Sequence, residues 1–106
     1  MVPIEKVQDI INKHNALEKE LSTGNIDPKV FAKKSKEYSS LGSIIKIARE
    51  YVNFENEKKD LLNMVNDKSN DQEMIDLAQN DLNELIAKRE KNENELKFFL
   101  LPKDED

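Results

Sequence analysis

The chain of 106 residues contains no cysteine and no tryptophan, and only two glycines and three prolines. Without cysteine it can form neither a disulfide framework nor a thiolate site. With so few turn residues, a charged fraction of 37% beside an equal apolar fraction indicates exposed helices. At this length we expect one domain whose core is a thin seam and whose stability is modest.

Long apolar runs are also missing, because no stretch of about 18 consecutive apolar residues occurs and no membrane span is predicted. The first residues, Met1 to Glu5, lack a charged leader and a long apolar region, so we expect no secretory signal. The net charge of −5 argues against a surface that binds nucleic acid as a whole, since phosphates require clustered cations. We therefore expect no DNA and no membrane among the partners.

The first predicted helix runs from about Pro3 to Leu21. Apolar residues recur at spacings of three and four, which places them on one face. This face comprises Ile4, Val7, Ile10, Ile11, His14, Leu17 and Leu21. A polar break is predicted from Ser22 to Ile26, with Gly24 available for a left-handed helix end.

The second predicted helix begins with Asp27 as N-cap and Pro28 as first helical residue. It is expected to extend to about Asn66, with Gly42 at a close approach of a neighbouring helix. Its apolar face weakens at Glu55 and Lys59, so a bend or break is predicted near Asn53–Asn56. The members of this face are Phe31, Tyr38, Leu41, Ile45, Ala48, Val52, Leu62 and Val65.

The third predicted helix follows a polar break at Asp67–Asn70, is capped by Asp71 and ends before Pro102. Its apolar seam has heptad spacing, with polar residues at two positions. The seam comprises Ile75, Ala78, Leu82, Leu85, Arg89, Asn92, Leu96 and Phe99. Because short loops make neighbouring helices antiparallel, we predict an all-α fold. It is a single domain over residues 1–106, an elongated antiparallel bundle of three main helices with coiled-coil-like packing and an acidic tail as linker.

No catalytic set is evident, and we expect no catalytic, cofactor-binding or metal-binding residues. His14 is the only histidine, and its position on an apolar face favours a structural role. Acidic pairs such as Asp81 with Glu84 are expected by chance among 22 acids. A lysine cluster opposes the helix dipole at the start of the second helix, which favours either a contact with an anionic partner or a solvated face. The cluster comprises Lys29, Lys33, Lys34 and Lys36.

Three stretches resemble one known family, the bacterial class I peptide chain release factors of the factor 1 type. Residues Asp71–Leu82 (DQEMIDLAQNDL) are similar to the start of the last helix in its N-terminal domain. Residues Leu100–Asp104 (LLPKD) are similar to the junction after that helix, and Lys36–Leu41 (KEYSSL) to part of its second helix. The resemblance covers the chain in segment order and length. Gln72 departs from it, because the family often has a proline after the acidic cap.

The resemblance implies that the chain is the N-terminal helical domain of a cytoplasmic factor about three times as long, a multi-domain size. In that family a Pro-x-Thr element reads the stop codon and a Gly-Gly-Gln loop promotes hydrolysis of peptidyl-tRNA. Neither element occurs here, so the fragment itself is expected not to be an enzyme. The implied partners are the ribosomal stalk base, with ribosomal protein L11 and 23S rRNA, and the class II release factor GTPase. The junction favours the factor type that reads UAA and UAG.

The alternative is a structural or adaptor coiled coil that binds a partner helix and has no link to translation. The gene distinguishes the two hypotheses, since a reading frame that continues past Asp106 into a Gly-Gly-Gln element indicates the release factor.

Overall fold

The computed structural model describes residues 1–102, and within them it contains four α-helices and no strand. The helices are α1 (Ile4–Ser22), α2 (Pro28–Gly42), α3 (Ile45–Asn66) and α4 (Gln72–Phe99). The molecule is elongated, with extents of 60 × 34 × 19 Å. The predicted all-α class is therefore confirmed. The tail that was expected to form a linker, residues 103–106, lies outside the described part.

The predicted helix boundaries are confirmed at the two capped starts. The Asp27 carboxylate accepts a hydrogen bond from the backbone N–H of Lys29 at 2.9 Å, and that of Asp71 accepts from Met74 at 2.8 Å. Each bond satisfies a backbone donor that has no partner inside the helix. Gly24, in the first loop, has φ +71°, which is the left-handed conformation expected of it.

The prediction of one long second helix is wrong, because the chain breaks between α2 and α3 at Ser43 and Ile44. The Ser43 hydroxyl donates to the Ser40 carbonyl at 2.7 Å, a local bond that competes with the helical ladder. Residues 53–56, where a bend was expected, lie within α3. Among residues 1–102, no atom of a neighbouring helix lies within 4 Å of where a Cβ of Gly42 would be, so the predicted close approach at this glycine is also wrong.

The buried face of α3 includes the predicted Ala48 but is otherwise displaced by one position from the predicted face. Its most buried side chains are Ile44, just before the helix, and then Ala48, Tyr51 and Phe54. The predicted Ile45 and Val52 are only partly buried and Leu62 is exposed. Apolar residues occur in adjacent pairs at 44–45, 51–52 and 61–62, so periodicity alone allowed either register. Tertiary packing selected the register that buries both large aromatic rings.

The four helices form two antiparallel pairs. Polar contacts and shared groove linings join the start of α3 to the end of α4 and the end of α3 to the start of α4. Between α1 and α2, Lys13 pairs with Glu37 and Glu20 pairs with Lys34. The main hydrophobic cluster contains residues from all four helices but none from residues 55–85. We call residues 55–85 the arm and residues 1–54 with 86–102 the body.

The predicted seam of α4 coincides with its buried face. Ala78, Leu82, Asn92 and Leu96 are buried, and the other four seam positions are partly buried. Most intervening residues of the helix are exposed. The heptad pattern therefore located this face correctly, whereas coiled-coil-like packing of the seam stays a prediction.

Replacing Gly42 by alanine should stabilise the chain by about 0.4–1 kcal/mol. The space for the methyl group is open, the backbone there does not have positive φ, and alanine favours helix over glycine. Gly24→Ala is the matched control and should destabilise the chain, because φ +71° is strained for alanine. Urea denaturation of the two variants measures both changes. Destabilisation by Gly42→Ala would show that the helix end depends on this glycine.

Candidate functional site

The predicted lysine cluster lies in the first three turns of α2. Lys29, Lys33 and Lys36 are spaced by four and three residues and therefore share one face of the helix. All three side chains are exposed, and none forms an ion pair within residues 1–102. We call these three residues the lysine face.

Lys34, the fourth lysine of the predicted cluster, points toward α1 and pairs with the Glu20 carboxylate. Its side chain is partly covered, and its charge is balanced within the fold. Of the four predicted residues, Lys34 thus has an ion-pair partner in the fold, whereas the other three have none in the described part of the chain. Sequence spacing alone could not separate them, because the partner is 14 residues away.

A polar cluster lies between α3 and α4, where the predicted seam carries Arg89 and Asn92. The Arg89 guanidinium carbon is 3.4 Å from the Tyr51 ring centroid and 4.6 Å from that of Phe54. Arg89 also donates to the Tyr51 carbonyl at 2.7 Å. The cation is thus held by two aromatic faces and a carbonyl. This arrangement explains why α3 continues smoothly opposite a polar stretch of the seam.

Glu50 completes this cluster on α3. It accepts a hydrogen bond from Asn92 at 3.0 Å and pairs with Lys88 at 3.1 Å. Burial by itself would raise the pKa of the Glu50 carboxyl, but the bonds from Asn92 and Lys88 favour its charged form. The pKa therefore lies below the ordinary value for glutamate. Because Glu50 pairs with Lys88, and Arg89 is held by two aromatic rings and a carbonyl, the cluster fits a structural role.

His14 is buried on α1 and stacks on Tyr38 of α2, with ring centroids 4.7 Å apart. Its burial and stacking agree with the predicted structural role. Within the described residues, no group of three or more His, Asp or Glu side chains is placed to hold a metal ion. No helix in this part of the chain is long and apolar enough to cross a membrane.

The arm contains a charge segregation that the prediction overlooked. Residues 55–85 contain nine acidic and three basic residues, a net charge of −6, whereas the body carries thirteen basic and ten acidic residues, net +3. The last four residues of the sequence contribute −2. Summing charges by segment would have revealed this, but the segment boundaries come from the structure. Of the acidic pairs that were expected to occur by chance, Asp81 with Glu84 lies in this acidic segment.

Four of the arm carboxylates line one groove of about 440 Å³ between α3 and α4. Glu57 and Asp60 come from α3, and Asp81 and Glu84 come from α4. Lys88 lies at the same groove, but it pairs with Glu50 of the body. None of the ion pairs formed within residues 1–102 involves an acidic residue of the arm.

A second groove, of about 930 Å³, lies beside the end of α4 and the α2–α3 break. Ile44 and Ile47 line one side, while Phe98 and Leu101, 79% and 58% exposed, line the other. It lies next to the stretch that resembles a domain junction. The prediction that the third helix ends before Pro102, near Leu100 or Leu101, is confirmed, since α4 ends at Phe99.

Comparison with known proteins gives one consistent result. The PCRF domain matches residues 10–106. Peptide chain release factor 1 of Pelagibacter ubique is 49% identical over 105 residues, covering 99% of this chain and 29% of the relative. The protein of that name from Rhizobium rhizogenes is 36% identical over 103 residues, 97% of this chain and 28% of the relative. The chain thus spans less than a third of the length of these relatives. No solved structure matches it significantly.

Proposed function

Because the chain belongs to the PCRF domain family of peptide chain release factors, we propose that it is the N-terminal helical domain of a longer factor that acts in translation termination. The observation that carries this proposal is the similarity to release factor 1 along nearly the whole chain. The sequence has no Gly-Gly pair and no Pro-x-Thr element. In this proposal, hydrolysis and codon reading belong to other parts of the full-length protein, and the domain itself is not an enzyme.

The proposed role of the domain is to position the factor at the ribosomal stalk base in the cytoplasm. Its neighbours there are ribosomal protein L11 and 23S rRNA, and it supports the response to the class II release factor GTPase. The full-length factor directs release at UAA and UAG. These specific assignments rest on the resemblance of Asp71–Leu82, Lys36–Leu41 and Leu100–Asp104 to the factor 1 type. The codon specificity rests on the Leu100–Asp104 junction alone.

The lysine face is our candidate for the contact with rRNA. Lys29 lies in the first turn of α2, where the helix dipole disfavours positive charge, and an anionic partner relieves that conflict. Lys34 was part of the predicted contact. Because it pairs with Glu20, we expect it to contribute less to rRNA binding than the other three lysines. Three exposed lysines on one helical face suit the phosphate backbone of a nucleic acid.

The alternative, an adaptor coiled coil, requires an apolar seam that is available to a partner helix. The heptad seam of α4 is instead buried or partly buried within this chain, from Ile75 to Phe99. This burial favours the release factor over the adaptor. A reading frame that continues past Asp106 into a Gly-Gly-Gln element would agree with the proposal, and a stop codon soon after Asp106 would contradict it.

Deleting residues 1–106 from the full-length protein tests the positioning role. Peptide release from stop-codon ribosomes should persist in part, whereas ribosome association and the response to the class II factor should weaken. Ribosome co-sedimentation and a reconstituted release assay measure the two effects separately. If the shortened protein matches the full-length protein in binding, release and recycling, the positioning role must be abandoned.

Reversing the lysine face, with Lys29→Glu, Lys33→Glu and Lys36→Glu, should weaken ribosome binding of the full-length protein. The slope of log affinity against log salt should decrease by about 2–3, at roughly 0.7–0.9 per phosphate contact. The matched control reverses three exposed lysines elsewhere, Lys6, Lys19 and Lys91, and makes the same change in net charge. Equal affinities and equal salt slopes for the two variants would show that the lysine face is an ordinary solvated surface and not an rRNA contact.

A further inference from the structure

The arm presents one continuous face that contains residues from both of its helices. On α4, Met74, Leu77, Asp81 and Glu84 recur at spacings of three and four. On α3, Glu57, Asp60 and Met64 do the same, and Leu61 lies beside Asp60. Such spacings place each set along one side of its helix. The groove of four carboxylates joins the two sets. We call these eight residues the arm face.

The arm face combines apolar and acidic character in two zones. Met64, Met74 and Leu77 are exposed at 39%, 44% and 62%, and they lie toward the α3–α4 loop. The four groove carboxylates lie toward the body. An exposed apolar patch bordered by charge is typical of a protein–protein contact.

The charge of the arm decides the chemistry of that partner. A net charge of −6 lies within 31 residues, and its carboxylates have no ion-pair partner among residues 1–102. An rRNA backbone would be repelled at contact distances, where salt screens least. A protein surface that carries lysine and arginine around an apolar centre is complementary to both zones.

We propose that the arm face docks on a basic protein surface of the ribosome, while the lysine face of the body meets rRNA. This inference rests on the proposed function, and it specifies which surface of the domain meets protein and which meets RNA. The charge difference between arm and body orients the domain. The acidic arm face is repelled by rRNA, and the lysine face is repelled by the basic protein surface.

Site-specific cross-linking of the full-length protein tests the inference. A photoreactive amino acid replaces Leu77 on the arm face, and the matched control replaces Ile86. Ile86 is also exposed, and nine positions further along α4 it points to the opposite side of the helix. Each variant is bound to purified bacterial ribosomes with a stop codon in the decoding site and irradiated. Protease and ribonuclease digestion then identify the cross-linked partner as protein or RNA.

The Leu77 probe should cross-link to protein, and the Ile86 probe should give little product. Glu57→Gln, Asp81→Asn and Glu84→Gln together should reduce the Leu77 product about tenfold at sub-saturating ribosome concentration, the loss expected for three exposed charge pairs. The control variant Glu55→Gln, Asp76→Asn and Glu90→Gln removes the same number of charges outside the arm face. It should leave the product nearly unchanged.

Several outcomes would overturn the inference while the proposed function stands. In each of them the full-length protein co-sediments normally with ribosomes. The Leu77 probe then cross-links to rRNA, cross-links to a second copy of the protein, or gives no cross-link at all. Equal losses for the two charge variants would also overturn it. If the full-length protein does not co-sediment with ribosomes at all, the proposed function fails, and the inference fails with it.

Discussion

Leu82→Ala is expected to lower the free energy of unfolding of this chain by about 2–5 kcal/mol. Leu82 is only 6% exposed and lies on the buried face of α4, within the arm. The arm consists of two helices only and contributes no residue to the main hydrophobic cluster. Few other apolar side chains can therefore fill the space that the Leu82 side chain leaves. The cost should combine lost transfer free energy with an incompletely closed cavity.

Urea denaturation followed by circular dichroism measures this loss. Leu77→Ala is the matched control, because it makes the same change five residues away at a side chain that is 62% exposed. It should cost under about 0.5 kcal/mol, as is typical of surface sites. Similar costs for both variants would mean that the buried face of α4 has been assigned in the wrong register.

Tyr51→Phe should cost about 1–3 kcal/mol, the penalty for leaving buried polar groups without partners. The Tyr51 hydroxyl accepts a hydrogen bond from the Val2 backbone N–H at 3.1 Å and donates to the Val2 carbonyl at 2.8 Å. These two bonds attach the start of the chain to the first half of α3. Phenylalanine keeps the ring against Arg89, so the change isolates the hydroxyl.

Tyr38→Phe is the control for this prediction. Its ring stacks on His14, and its hydroxyl forms no hydrogen bond within residues 1–102. Removing it should change stability by less than about 0.5 kcal/mol. Hydrogen exchange adds a second readout, because the Val2 amide should lose protection in Tyr51→Phe only. Unchanged protection in that variant would show that the tyrosine does not attach the N-terminal segment.

The placement of charges relative to neighbouring helices was the least predictable part of the candidate site. The lysine cluster was visible as a local excess of cations, but its division into three outward lysines and one paired lysine depends on Glu20, a residue of another helix. Among the arm carboxylates, the sequence analysis singled out only the pair Asp81 and Glu84, which was expected to occur by chance. That Glu57 and Asp60 share a groove with Asp81 and Glu84 follows from how α3 and α4 pair.

The sequence by itself determined the helix starts at Asp27 and Asp71, the polar breaks, and the seam of α4. Caps and breaks depend on neighbouring residues, and the α4 seam has one unambiguous apolar periodicity. Only the tertiary structure decided the break at Ser43 and the register of α3. Adjacent apolar pairs made two faces equally periodic, and the choice between them required the packing of Tyr51 and Phe54 against Arg89 of α4.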